Sequence, residues 1–246
     1  MMEVTKNNIL NGFINLYQPK KGFRVGIDSI LLASSISSCD NCLEFGTGTG
    51  IISLSLAKRF PLSHIMAIEK NKELIKIGKK NIILNNLKDL NIKMIYGDLR
   101  KDSFLADLNN TFDRVVMNPP YFNKEKFLLS LNKTKMDSKY EDNIYLWFSE
   151  AYKKLKPKGY LNFIYRSECL DMIMQYLNKD WGDIRIFPLW PKKGLPSKLI
   201  IVQAKKKSKS EVKLLSGLVL HNDDGTYTEA CNSILMNTSN IDLNKY

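Results

Sequence analysis

The sequence predicts an α/β fold, a mostly parallel sheet of seven strands with helices on both faces and an antiparallel last strand. Three observations carry that expectation. Short β-rich runs alternate with amphipathic stretches along most of the chain. A glycine-rich segment, Gly46-Thr47-Gly48-Thr49-Gly50, follows the first of these runs. The last two runs have no helical stretch between them, so they are expected to close the sheet in antiparallel fashion.

The strands are expected at Asn41–Phe45, Ile65–Glu69, Ile92–Tyr96, Val115–Asn118, Tyr160–Tyr165, Ile184–Pro188 and Leu199–Ala204. Helices are expected at Gly50–Arg59, Lys72–Asn85, Asn143–Leu155 and Ser167–Leu177. The second is the clearest, with Leu74, Ile75, Ile77, Ile82 and Leu84 near helical spacing. Three regions lie outside the alternation: residues 1–38 with a helix at Asp28–Ile36, the polar, Lys-rich loop Phe122–Asp142, and the tail from Lys205 onward. A loop that long in a compact domain is usually functional or mobile. The run Lys205-Lys206-Lys207-Ser208-Lys209 reads as a solvated turn.

With 246 residues the chain is long enough to bury a core without disulfide or metal staples. Its longest apolar runs fall short of the roughly 20 residues of a membrane span, and its N-terminus lacks a signal-like apolar stretch. A cytoplasmic protein without a membrane partner is expected, and a monomer is the default state. The net charge of +12 suits a polyanionic partner such as RNA or DNA, although a Lys-rich composition can arise without one. Cys39 and Cys42 form a C-x-x-C pair, but no second pair completes a tetrahedral set and the chain has only two His. No metal is expected.

The segment Glu44-Phe45-Gly46-Thr47-Gly48-Thr49-Gly50 stands in the first strand-to-helix turn, where open α/β sheets bind nucleotides. Glu69 ends the next strand at the spacing of a ribose-binding carboxylate, with Lys70 after it. A dinucleotide loop reads G-x-G-x-x-G and receives a pyrophosphate on the helix end. Here the third Gly comes one residue early, and Glu44 precedes the first by two. A carboxylate there repels a pyrophosphate but suits an ammonium group. S-adenosyl-L-methionine carries an ammonium and a sulfonium and no phosphate, so spacing and sign both favour it. The arrangement resembles the first motif of Rossmann-like methyltransferases. In similar enzymes an Asp placed like Asp98 accepts from the adenine amine, and the next amide, here that of Leu99, meets the ring. A helix N-cap is the other reading of Asp98.

Asn118-Pro119-Pro120-Tyr121 ends the fourth strand, beside the glycine loop in this type of sheet. Two prolines fix φ and remove two donors, which leaves carbonyls as rigid acceptors. An amide or aromatic amine is a poor nucleophile because its lone pair is delocalised. The Asn118 side-chain oxygen and the Pro119 carbonyl can each accept one N–H of such an amine and draw the nitrogen towards tetrahedral geometry. Tyr121 can stack on a flipped-out base. The motif resembles the fourth motif of amino-methyltransferases, which act on adenine N6 in DNA and RNA or on glutamine amides of release factors.

The run Gly22-Phe23-Arg24-Val25-Gly26-Ile27-Asp28-Ser29-Ile30-Leu31-Leu32-Ala33 resembles the segment before the first motif of the bacterial tRNA1(Val) adenine-N6 methyltransferase family, where a G-T-D-x-x-L-L-like pattern recurs. Ile27 stands in place of the usual Thr. Further similarities are Pro188–Pro196 and Leu220–Thr228, so the resemblance spans nearly the whole chain in order. It implies methylation at N6 of the adenosine next to the anticodon of a valine tRNA, with S-adenosylmethionine as cofactor. Residues 39–205 would form the catalytic domain, 1–38 an extension packed on it, and 206–246 a C-terminal extension. Asp28 would lie near the methionine end of the cofactor or cap the following helix. Lys20, Lys21 and Arg24 would touch tRNA phosphates or form a solvated basic turn. The family's Arg-His-Glu-like stretch after N-P-P-Y is here Lys135-Met136-Asp137, without the His.

Other classes remain open on the sequence. An rRNA or DNA adenine methyltransferase shares the motifs, but no separate target-recognition domain is evident. A glutamine methyltransferase usually carries a larger N-terminal helical domain than these forty or so residues. A non-catalytic RNA-binding subunit would not need Glu44, the glycine loop, Asp98 and Asn118 intact together.

Overall fold

The computed structural model describes residues 2–22, 24–88, 91–101, 105–121, 133–177, 179–237 and 239–245, with backbone alone at 133–143 and 237. The chain opens with β1 (Val4–Ile9) and β2 (Ile14–Pro19), then α1 (Ile27–Ser34), β3 (Asn41–Phe45), α2 (Ile51–Arg59), β4 (His64–Glu69), α3 (Lys72–Leu84), β5 (Ile92–Tyr96) and β6 (Phe112–Met117). It continues with α4 (Lys133–Lys154), β7 (Leu155–Arg166), α5 (Leu170–Tyr176), β8 (Trp181–Trp190), β9 (Leu199–Lys206), β10 (Lys213–Leu214), β11 (Leu218–Val219) and α6 (Glu229–Asn237).

The main sheet runs β10-β8-β9-β7-β6-β3-β4-β5, with β11 also on β8. β5, β4, β3, β6 and β7 are parallel, while β9 runs antiparallel between β7 and β8. The seven expected strands are therefore all present, and the antiparallel one is last of them in the chain. The sheet has nine strands because the two-residue β10 and β11 flank β8. They are separate for a reason. Pro188 has no N–H to give, so pairing on that side stops opposite Ile186 and resumes opposite Leu189. The central strand β3 is buried from Cys42 to Phe45, as a strand covered on both faces must be.

The N-terminal hairpin of β1 and β2 was outside the sequence expectation. It docks on α3 through two buried amides one helical turn apart. Asn81 Oδ1 accepts from Tyr17 N at 2.7 Å, and its Nδ2 donates to Tyr17 O at 3.0 Å. Asn85 Oδ1 accepts from Asn15 N at 2.9 Å, and its Nδ2 donates to Asn15 O at 2.6 Å. The helix thus supplies what a neighbouring strand would, which is why its buried face includes these polar residues beside Leu74, Ile75 and Ile77.

α4 begins ten residues before the expected start, since its first turns are Lys-rich and carry no apolar period. Residues 122–132 of the long loop lie outside the described residues, as do the side chains of Lys135, Met136 and Asp137. The expected solvated turn is also different. Lys205 and Lys206 belong to β9, and Lys206 turns inward, where Nζ donates to Asn110 Oδ1 at 2.9 Å, Tyr152 O at 2.6 Å and Leu155 O at 2.7 Å. Three oxygens make a buried ammonium tolerable. Among the described residues, no helix is long and apolar enough to cross a membrane, and no cluster of three His, Cys, Asp or Glu could hold a metal ion. All four cysteines are buried free thiols.

Candidate active site

Parallel pairing brings the two motifs together. Phe45 of β3 pairs with Met117 of β6, so Gly46 and Asn118 leave the sheet side by side, about 5 Å apart. Glu69 ends β4 next to β3, and Asp98 follows β5 beyond it. The loop residues, Glu69, Asp98 and Asn118 thus share the carboxyl edge of the sheet.

Gly46, Gly48 and Gly50 all have positive φ, at 67°, 59° and 98°, which favours glycine at each. A Cβ at Gly46 would lie 2.6 Å from the Trp147 ring, and one at Gly50 would lie 2.2 Å from Met94 Cε. Thr47 is buried, and its N–H donates to Ile68 O at 2.9 Å. Glu44 is 1% exposed, and its Oε2 accepts from Thr47 Oγ1 at 2.8 Å, Ser53 N at 3.0 Å and Ser53 Oγ. A carboxylate from β3 thereby serves the first turn of α2 as an N-cap side chain would. Burial pushes its pKa up to about 7 against these three hydrogen bonds. Glu69 Oε2 accepts from Gly48 N at 3.0 Å and Oε1 from Asn71 N at 2.9 Å, so it braces the loop from the next strand. Lys70 beside it is exposed.

Asp98 does not cap a helix. It closes a turn on itself, with Arg100 N donating to Oδ1 at 3.1 Å and Arg100 Nε to Oδ1 at 2.9 Å. The Arg100 guanidinium on its carboxylate holds the pKa down at about 2. Leu99 packs on the core beside it.

Asn118 is half-buried, Pro119 buried and Pro120 exposed. Asn118 Nδ2 donates to Ser29 Oγ at 3.0 Å and reaches Asp28 Oδ2 at 3.5 Å. Tyr121 donates its hydroxyl to Asp28 Oδ2 at 2.8 Å and meets Tyr165 edge-on at 5.7 Å. Burial, with the Asp28 charge second, raises the Tyr121 pKa far above its ordinary value, so the hydroxyl stays a donor. Asp28 lies in the first turn of α1, whose N-cap is Gly26, so it is not itself the N-cap. A Cβ at Gly26 would press on Asp28 Oδ1, so the carboxylate would have to shift.

The basic residues stand apart from this cluster at the base of the hairpin. Lys20 pairs with Glu3 at 3.3 Å, and Lys21 is exposed. Arg24 donates to Thr5 Oγ1 at 3.2 Å, Pro19 O at 3.3 Å and Asn7 Oδ1 at 3.4 Å.

The carboxylates on this edge, with no Lys or Arg inside the glycine loop, suit a cationic ligand better than a phosphate. Residues 23–185 match the model of the methyltransferase small domain. The chain belongs to that family. It is 28% identical over 221 residues to a Haemophilus influenzae tRNA1(Val) (adenine(37)-N6)-methyltransferase, covering 88% of this chain and 91% of the relative. A Flavobacterium psychrophilum release factor glutamine methyltransferase is 33% identical over 152 residues, covering 59% of this chain and 50% of that one. In fold it is similar to a chain described as a predicted O-methyltransferase of Agrobacterium tumefaciens, with a TM-score of 0.72 at 18% identity over 87% of this chain and 98% of that one. M. jannaschii TYW2 in complex with AdoMet gives a TM-score of 0.55 at 20% identity over 84% and 86%.

In this small-domain methyltransferase, Ser29, Trp147 and Tyr165 join the site although sequence reasoning assigned none of them a role there. Ser29 directly follows Asp28 in the N-terminal motif, so its neighbour was a signal. Trp147 was visible only as an aromatic in a polar helix, and nothing local marked Tyr165.

Proposed function

We propose that this methyltransferase moves the methyl group of S-adenosylmethionine to the exocyclic N6 amine of an adenosine in tRNA, the one next to the anticodon of a valine tRNA. The observation that carries the reading is the Asn118-Pro119-Pro120-Tyr121 turn standing one strand from the glycine loop. The cofactor, when bound, supplies an electrophilic methyl on a sulfonium. Glu69 would meet its ribose, and Asp98 with the Leu99 amide its adenine. The loop Gly46, Thr47, Gly48 and Gly50 lets the ligand approach the backbone, with Glu44 as its internal brace. Lys70 and Asp28 complete the surround.

Asn118 Oδ1 and the Pro119 carbonyl accept the two N–H groups of the target amine. That withdraws its lone pair from the ring and aims it, while charge developing on nitrogen meets two fixed dipoles. The proton becomes acidic once the new bond forms, so a strong base is not required. Pro120 keeps the turn rigid and Tyr121 offers an aromatic ring to the base. A tRNA substrate fits the +12 charge and a cytoplasmic setting.

The relative from Flavobacterium psychrophilum supports a second reading, methylation of a protein glutamine. Incubation of labelled S-adenosylmethionine with separate pools of unmodified tRNA, rRNA, duplex DNA and release factor separates the two. N6-methyladenosine in tRNA alone is expected. Label in release factor would replace the tRNA reading with the glutamine one.

A further inference from the structure

A carboxamide has two ends of nearly equal shape and opposite chemistry. If Asn118 receives an amine, as the proposed function requires, its oxygen must face the acceptor. The reversed side chain would present N–H to N–H. Something must therefore fix its direction.

We propose that Ser29 on α1, with Asp28 beside it, sets that direction and is a positioning residue for methyl transfer. Asn118 Nδ2 lies 3.0 Å from Ser29 Oγ and 3.5 Å from Asp28 Oδ2. An ionised carboxylate only accepts, so an amide oxygen on that side would face it unpaired and repelled. Asp28 cannot turn away easily, because the same oxygen takes the Tyr121 hydroxyl at 2.8 Å. Ser29 cannot either. It is 7% exposed on a helix whose Leu31 and Leu32 are fully buried. The nitrogen is thus claimed by α1, and Oδ1 is turned away from it towards the position an acceptor amine would take. The same turn of helix anchors both polar side chains of the N-P-P-Y motif.

Removing the Ser29 hydroxyl takes one hydrogen bond from the nitrogen side and lets the amide rotate. Single-turnover transfer to a valine tRNA transcript at saturating cofactor tests this in Ser29→Ala and Ser29→Thr. Cofactor affinity, thermal midpoint and solvent exchange of the Asn118 side-chain NH₂ protons are measured alongside. Ser29→Ala is expected to slow transfer by about tenfold. Its cofactor affinity and midpoint should match the parent, and Asn118 NH₂ exchange should be faster. Ser29→Thr keeps the hydroxyl and should recover both rate and protection. Parent-like rate and exchange in Ser29→Ala would overturn the assignment, and so would equal losses of rate and cofactor affinity. If the parent chain leaves tRNA unmethylated, the substrate reading fails on its own, while the NH₂ exchange still decides the orientation.

Discussion

The two halves of the site are tied down over very different stretches of chain. Around the glycine loop, Glu44 reaches Thr47 and Ser53, and Glu69 reaches Gly48 and Asn71. All of these belong to one strand-turn-helix-strand unit. At the other half, Asn118 and Tyr121 are held by Ser29 and Asp28, 89 and 93 residues away. The glycine-loop part of the cofactor pocket can therefore form from local contacts, whereas the acceptor site exists only when the N-terminal segment is docked. Perturbations of Ser29 or of the β6 turn should strike transfer and spare cofactor binding. Perturbations of the loop braces should do the reverse.

The largest expected effect is at Asn118. Asn118→Ala removes an acceptor that acts on developing charge, and should lower the rate of transfer by about 10²–10³-fold. Calorimetric cofactor affinity should stay within twofold or so of the parent, since a lost hydrogen bond outside the cofactor pocket leaves it intact. Weak cofactor binding by this variant would erase the contrast between the halves.

Glu44 comes next. Its pKa is raised from 4.5 to about 7, so the folded state holds its proton more tightly than the unfolded one. The sign follows from that. Its contribution is most favourable below about pH 4.5, is lost as pH rises to about 7, and is flat above. The loss over that window is about 3 kcal/mol. Urea unfolding near pH 4.5 and near pH 7.5 should show this fall in the parent and its absence in Glu44→Gln. Equal pH dependence in the two proteins would remove Glu44 as the buried titrating brace. Glu69→Ala should have a smaller effect, weakening the cofactor by about tenfold with the saturated rate of transfer unchanged.

How much of this was legible in the sequence also divides along the two halves. The glycine loop, Glu69 and the parallel strands are local patterns, and β3 and β4 appear almost where hydrophobic runs put them. The N-P-P-Y turn was legible because two prolines and an aromatic at a strand end are unusual. The hairpin was not. β1 reads Val-Thr-Lys-Asn-Asn-Ile, with alternate residues exposed and the rest only half-buried, so this strand has no apolar period, and only Ile14 and Leu16 of β2 supply a short one. The hairpin is fixed by the burial of those two side chains and by Asn81 and Asn85 far along the chain. Ser29 stood beside a marked residue, but its bond to Asn118 was not legible, since that partner is distant in sequence. The helix-cap reading of Asp98 stood beside the cofactor one because no local signal shows that Arg100 would fold back onto it.

The smallest effect concerns the basic residues at the base of the hairpin, where neighbours in sequence differ in their partners. Arg24 spends its guanidinium on Thr5, Asn7 and Pro19 of the hairpin, whereas the Lys21 side chain is exposed at the turn that leads into α1. If this turn meets tRNA phosphate, Lys21→Ala should weaken tRNA binding a fewfold and flatten the plot of log affinity against log salt by about 0.8. Arg24→Ala should leave that slope alone and instead lower hairpin stability by about 1 kcal/mol. Filter binding of the tRNA across a salt series reads both variants. A slope change in Arg24→Ala and none in Lys21→Ala would reverse the roles. The hairpin contacts of Arg24 would then be ones that it leaves on meeting RNA.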